Sequence, residues 1–266
     1  MRRVVAAGVV FAFSAVLFGA TPAAAAEPLS VEITLDGKEV TGNTVTIEPN
    51  RPAELTVTAV NQSDKLVAIR SVRVSGVALA LTFFAYDTTV PFEVPPGQTV
   101  TRTLVMDFAD LEGQAIGLLP TTIDIVNTDR DVVGTASTVV DVRGSLWSVY
   151  GVFGLAMLGL TALLWAGALF ALARHKLSPN RWRRALRFLP GGIGAGLVAV
   201  VTLSVLRLVP PAPAVEIPLI LVAAAIGLIL GYLTPHPIPE PLPELGPDDP
   251  TIGMTTRRMD TTTEAH

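Results

Sequence analysis

The sequence predicts an all-β sandwich followed by an α-helical membrane region of three transmembrane helices. Three observations predict it. Residues 27–145 alternate apolar and polar side chains with period two between turn-forming clusters, the pattern of strands with one buried face. Residues 146–233 hold three long apolar runs, each near the roughly 20 residues that cross a hydrocarbon core. Between the first two runs, Arg174, Lys176, Arg181, Arg183, Arg184 and Arg187 gather six of the chain's 19 Lys and Arg side chains. Such clusters stay on the cytoplasmic side, which places residues 27–145 outside the cytoplasm.

Residues 1–26 read as a secretory signal. Met1-Arg2-Arg3 is a positive start, Val4 to Ala20 is uncharged and apolar, and Thr21-Pro22 with Ala23 to Ala26 offers small residues for cleavage after Ala26. The alternative is an uncleaved N-terminal anchor. The chain has no cysteine, which excludes disulfides, thiolate metal sites and a lipidated-cysteine anchor. Arginine outnumbers lysine 16 to 3, and Ala, Val, Gly and Pro are abundant; this usage points to a high-GC genome of a Gram-positive bacterium.

Within the exported part, strands are expected near 30–35, 44–48, 53–60, 66–75, 79–86, 98–107, 119–126 and 132–142. Asp36-Gly37, Pro49-Asn50-Arg51-Pro52, Asn61-Gln62-Ser63-Asp64, Pro95-Pro96-Gly97 and Asn127-Thr128-Asp129 supply the turns. No amphipathic helix of ten residues interrupts them. Short, evenly spaced strands of this kind make a sandwich, most simply an immunoglobulin-like one. Without a cysteine pair its core must rest on packing, with Phe83, Phe84, Phe92 and Phe108 as candidates.

Ala53 to Val60 followed by Asn61-Gln62-Ser63, and later Val94-Pro95-Pro96-Gly97-Gln98-Thr99-Val100, resembles bacterial immunoglobulin-like surface and periplasmic domains. The resemblance covers less than half of the chain. It implies the fold and no particular activity, because sandwiches host many functions.

The chemistry open to this part is narrow. It contains no His; His175, His236 and His266 all lie beyond it. Without Cys or His, transition-metal sites and His-activated nucleophiles are excluded there. Asp107, Asp110 and Glu112 cluster at one turn and Asp129 and Asp131 at another. Solvated turns are the simplest reading, with Ca²⁺ binding or carboxylate catalysis as the alternatives. Residues 27–145 carry 16 Asp and Glu against 8 Lys and Arg, a balance of −8, which argues against nucleic acid as a partner. Phe83, Phe84, Tyr86 and Phe92 are either core or an exposed docking patch, and Leu111 to Leu119 could face the membrane or a partner.

The first membrane span is placed at 146–173, with Trp147 and Tyr150 as interfacial aromatics. At helical spacing Gly151, Gly159, Ala162 and Ala166 fall on one side and could admit another helix. A basic cytoplasmic loop, 174–188, follows. Ser178-Pro179 reads as an N-cap with Pro at N1. The helix after it gathers Trp182, Ala185, Leu186 and Leu189 on one face, which suits a short amphipathic helix on anionic lipid. The second span is 189–209 and the third 215–233, joined by Val209-Pro210-Pro211-Ala212-Pro213. Gly192 with Gly196 and Gly227 with Gly231 are Gly-x-x-x-Gly pairs that could pack these two helices together. Arg207 and Glu216 are the only charges in the second and third spans, both near one end. The tail, 234–266, is Pro-rich, then acidic and Thr-rich, and is expected to be disordered; Thr261, Thr262 and Thr263 are phosphorylation candidates.

The function expected from these readings is non-enzymatic and needs no cofactor. The exported sandwich binds or positions another envelope component at the membrane surface. The alternative is an accessory subunit of a transport or secretion complex, assembled through the helices. The expected partners are the lipid bilayer and a membrane or envelope protein.

Overall fold

The structure is a computed structural model that describes residues 28–49, 51–174 and 176–235. The expected signal segment, and the tail from residue 236 onward, lie outside the described residues. Among the described residues nine strands come first: β1 (Leu29–Leu35), β2 (Lys38–Glu39), β3 (Thr44–Ile47), β4 (Ala53–Asn61), β5 (Val67–Ala78), β6 (Leu81–Val94), β7 (Thr99–Met106), β8 (Gly117–Asn127) and β9 (Val132–Val142). One sheet has the order β2-β1-β4-β7 and the other β3-β9-β8-β5-β6. All pairings are antiparallel except β3 with β9.

The alternation in sequence becomes the two faces of each sheet. In β4, Ala53, Leu55, Val57 and Ala59 are buried while Glu54 is exposed; side chains two apart share a face. These residues meet Val72, Val74, Ile123 and Ile125 of the other sheet in one core. Phe84, Phe92 and Phe108 belong to that core. Gly76 sits opposite Phe84 in the β5–β6 register, and a Cβ at Gly76 would overlap the Phe84 ring.

The strand expected at 79–86 differs in the structure. Residues 79 and 80 form the turn between β5 and β6, and β6 continues to Val94. Pro91 is compatible with this because β6 is a sheet edge, where no ladder donor is missed. The stretch Leu111 to Leu119 packs within the chain, partly on the strands and partly near Ser204. A short helix, α1 (Leu111–Gln114), opens it, and Leu111, Ala115 and Leu119 are buried.

Three helices follow: α2 (Val149–Ala173), α3 (Arg181–Val205) and α4 (Pro213–Leu233). Each is long and apolar enough to cross a membrane. Ser148 caps α2 by accepting the Gly151 N–H at 3.2 Å. The amphipathic helix expected within 174–188 is not separate from the second span. It forms the first turns of α3, which runs unbroken through Pro190. Its cap is also different: Asn180, not Ser178, accepts the Trp182 N–H at 2.9 Å, and Ser178 Oγ accepts the Asn180 N–H at 3.3 Å. Pro190 removes one ladder donor, a loss that membrane-spanning helices tolerate where neighbouring groups compensate.

Candidate functional site: the junction of sheets and helices

The sheets rest directly on one end of the helix bundle, the end made by the start of α2, the end of α3 and the start of α4. Only residues 143–148 separate β9 from α2, so there is no stalk. Phe83 packs edge-on against Tyr150 and Phe153 of α2, with ring centroids 4.6 and 5.6 Å apart. Tyr150 and Val201 belong to the same hydrophobic core as the strands.

Three polar links reinforce this apolar seam. Ser204 Oγ of α3 donates to the Leu118 carbonyl at 2.6 Å. Arg207, in left-handed conformation just past α3, donates through Nε to Asp141 Oδ1 of β9 at 2.6 Å. Glu216 Oε1 of α4 accepts the Leu79 N–H at 2.8 Å. Asp141 and Glu216 are both buried, each 7% exposed. Burying a carboxyl group is costly unless it is hydrogen-bonded, so these links hold the sheets in a set position on the helices. Gly117 completes the seam: its φ is +87°, and a Cβ there would overlap the Ser204 carbonyl.

Leu79 and Ala80 form the β5–β6 turn with φ of +51° and +59°. Two-residue hairpin turns of this kind usually carry Asn-Gly or Asp-Gly, because bulky residues are strained there. Here the turn is apolar and its amide is held by Glu216. Beside it a groove of about 560 Å³ runs between the hairpin tip and the α3–α4 pair, lined mainly by apolar side chains with Glu216 on its wall.

The basic residues lie at the opposite end of the bundle. Arg174 sits over the Phe170 ring at 4.7 Å and Arg181 over the Tyr232 ring at 5.9 Å. Trp182 also meets Tyr232, at 5.7 Å. Lys176, Arg181, Arg183 and Arg187 are exposed. Arg184 differs from these basic neighbours. It is buried, and its guanidinium donates to the Ser178 and Pro179 carbonyls at 2.9 and 3.1 Å. It therefore ties the loop to α3 and does not face lipid.

The glycine pairs of the second and third spans meet each other. A Cβ at Gly192 would approach the Ala223 carbonyl and Gly227 Cα. One at Gly196 would approach Ile220, and one at Gly231 the backbone of Arg184 and Ala185. The α2 residues fall elsewhere. Gly151 packs on the Leu146 carbonyl, while Gly159, Ala162 and Ala166 are exposed, and a Cβ at Gly159 would meet nothing within 4 Å among the described residues. The α2 face that meets α3 carries Gly154, Thr161 and Trp165, with Trp165 Nε1 donating to the Gly191 carbonyl at 3.0 Å.

The acidic cluster is a turn beside a half-buried tyrosine whose hydroxyl is enclosed. Asp107 Oδ1 accepts the Ala109 N–H at 3.0 Å, and Asp110 and Glu112 are exposed. Tyr86 packs edge-on against Phe108 at 5.2 Å, and its hydroxyl has no hydrogen-bond partner among the described residues. Burial first, then the charges of Asp110 and Asp107, push this phenol up to about 12. Among the described residues no three His, Cys, Asp or Glu side chains gather as metal ligands.

No protein-family model matches the chain, and no curated protein matches it. Among solved structures, the sporulation control protein Spo0M of Bacillus subtilis is 13% identical over 49% of this chain and 56% of its own, with a TM-score of 0.32. The chain thus spans little more than half of that protein. A Niemann-Pick type C2 protein from the Japanese carpenter ant is 9% identical over 43% of this chain and 94% of its own, also at 0.32. A cycloisomaltooligosaccharide glucanotransferase from Paenibacillus sp. is 16% identical over 43% and 14%, at 0.28. At these TM-scores none of them assigns a family.

Proposed function

We propose that this chain is a non-enzymatic cell-envelope membrane protein. An immunoglobulin-like sandwich is held outside the cytoplasm by three transmembrane helices, and binds or positions another envelope component at the membrane surface. The observation that carries this reading is the stalkless junction. Asp141, Leu118 and Leu79 are fastened to helix ends, so the sheets can present a ligand face only close to the bilayer. The basic cluster at the far end of the bundle supports the orientation, because positive ends remain cytoplasmic. Photo-crosslinking from the exposed strand positions of the full-length chain in its native membrane should capture one stoichiometric envelope partner. Recovery of nothing above background overturns the binding reading.

The second reading, an accessory subunit assembled through the helices, is favoured by the exposed Gly159, Ala162 and Ala166 of α2. Small residues let a foreign helix approach closely. On this reading Gly159→Leu abolishes co-purification of a membrane partner, while the binding-module reading leaves the partner bound.

A further inference from the structure

We propose that the groove between the β5–β6 turn and the α3–α4 pair holds one membrane lipid, its chain against the helices and an amine head group on Glu216. The inference rests on the membrane-surface reading above and names one molecule that the junction would recognise.

Four observations carry it. The groove, of about 560 Å³, falls in the size range of small-molecule sites, roughly 300–1,000 Å³. Its walls are apolar, with Val77 and Pro120 from the sheets and Leu197, Ile217 and Ile220 from the helices. From Glu216 the wall continues along α4 through Ile217 and Ile220, about 6 Å of helix, so an apolar chain placed there stays continuous with the lipid-compatible faces of α3 and α4. Glu216 supplies the polar end. It is 7% exposed, Oε1 is taken by the Leu79 N–H, and Oε2 accepts no hydrogen bond from the described residues.

A carboxyl oxygen in such surroundings is stabilised by a donor, and most by a charged one. Two cations at the junction, Arg207 and Arg143, are already engaged by Asp141 at 2.6 and 3.4 Å, and among the described residues no salt bridge joins Glu216 to a Lys or Arg. An ammonium head group therefore meets both the charge and the hydrogen-bonding need. The apolar Leu79-Ala80 turn is consistent with this, since it places hydrocarbon at the depth where a lipid chain begins.

The test uses the full-length chain in nanodiscs of equal phosphatidylethanolamine, phosphatidylglycerol and phosphatidylcholine, with bound lipid read by native mass spectrometry. Wild type should retain one phosphatidylethanolamine over phosphatidylcholine by about tenfold, the ratio expected of one charge-assisted hydrogen bond. Ile217→Trp, at an exposed position lining the groove, should remove the adduct. Glu216→Gln, which keeps the Leu79 bond, should bring the two lipids within about threefold of each other. Equal retention of the two lipids by wild type, preferential retention of phosphatidylglycerol, or an unchanged adduct in Ile217→Trp overturns the site.

Because the chain has no cysteine, Trp147→Cys can carry an environment-sensitive fluorophore at the junction. An interfacial signal without a selective lipid overturns only the lipid site. A fully aqueous signal overturns the membrane-surface reading with it.

Discussion

One buried and one half-buried side chain show how single residues set this architecture. Glu216 stands at the start of a helix of membrane-spanning length, where a carboxyl group is expensive unless bonded, and its bond reaches back to Leu79 on the sheets. Tyr86 is the converse, a hydroxyl buried without a partner. Its phenol is expected to ionise near pH 12 instead of near 10, which ultraviolet titration of wild type against Tyr86→Phe would reveal. The sign follows from proton binding. The folded state holds this proton more tightly than the unfolded state, so stability does not depend on this group's titration below pH 10 and falls as pH rises from 10 toward 12. At neutral pH Tyr86→Phe should raise stability by about 1 kcal/mol, since it removes an unsatisfied buried group. A fall of that size in a denaturation experiment would count against the buried, unpartnered hydroxyl.

At the scale of elements, the helices divide into a tight pair and a looser third. Gly192, Gly196, Gly227 and Gly231 bring the backbones of α3 and α4 together, so Gly192→Leu should cost about 3 kcal/mol or more through overlap with α4. A Cβ at Gly159 would meet nothing within 4 Å, so Gly159→Leu should not destabilise the isolated chain. Thermal unfolding of both variants in the same detergent separates the two cases; equal losses would contradict the packing. The Gly-x-x-x-Gly pairs were legible in the sequence because each is a local spacing. The α2 face was not, because Gly154, Thr161 and Trp165 are selected by what α3 presents. The β5–β6 turn escaped for another reason: Leu79-Ala80 lacks the Gly or Asn that marks such turns, and a tertiary bond from Glu216 holds it instead. Likewise the amphipathic helix was expected to stay within 174–188, apart from a second span starting at 189, yet α3 runs unbroken from Arg181 through Pro190.

For the whole molecule, the absence of a stalk means that sheets and helices share one core. Tyr150 and Val201 pack with the strands, and Phe83 leans on Tyr150. A fragment of residues 27–145 should therefore unfold at lower temperature than the same strands in the full chain, and bind a hydrophobic dye at the exposed seam. An equally stable fragment that binds no dye would show that the junction contributes little to the fold.

The sequence alone determined the period-two strands, the three apolar runs, the basic stretch at 174–187 and the glycine pairs. Each of these is a local pattern, readable from spacing and composition. The tertiary structure decided the order of strands in two sheets, the docking of those sheets on the helices, the burial of Arg184 and the pairing of Arg207 with Asp141 and of Glu216 with Leu79. Those facts depend on residues far apart in the chain; Leu79 and Glu216 are 137 positions apart. Their meeting follows from how two sheets and three helices bury apolar surface together, which no local pattern encodes.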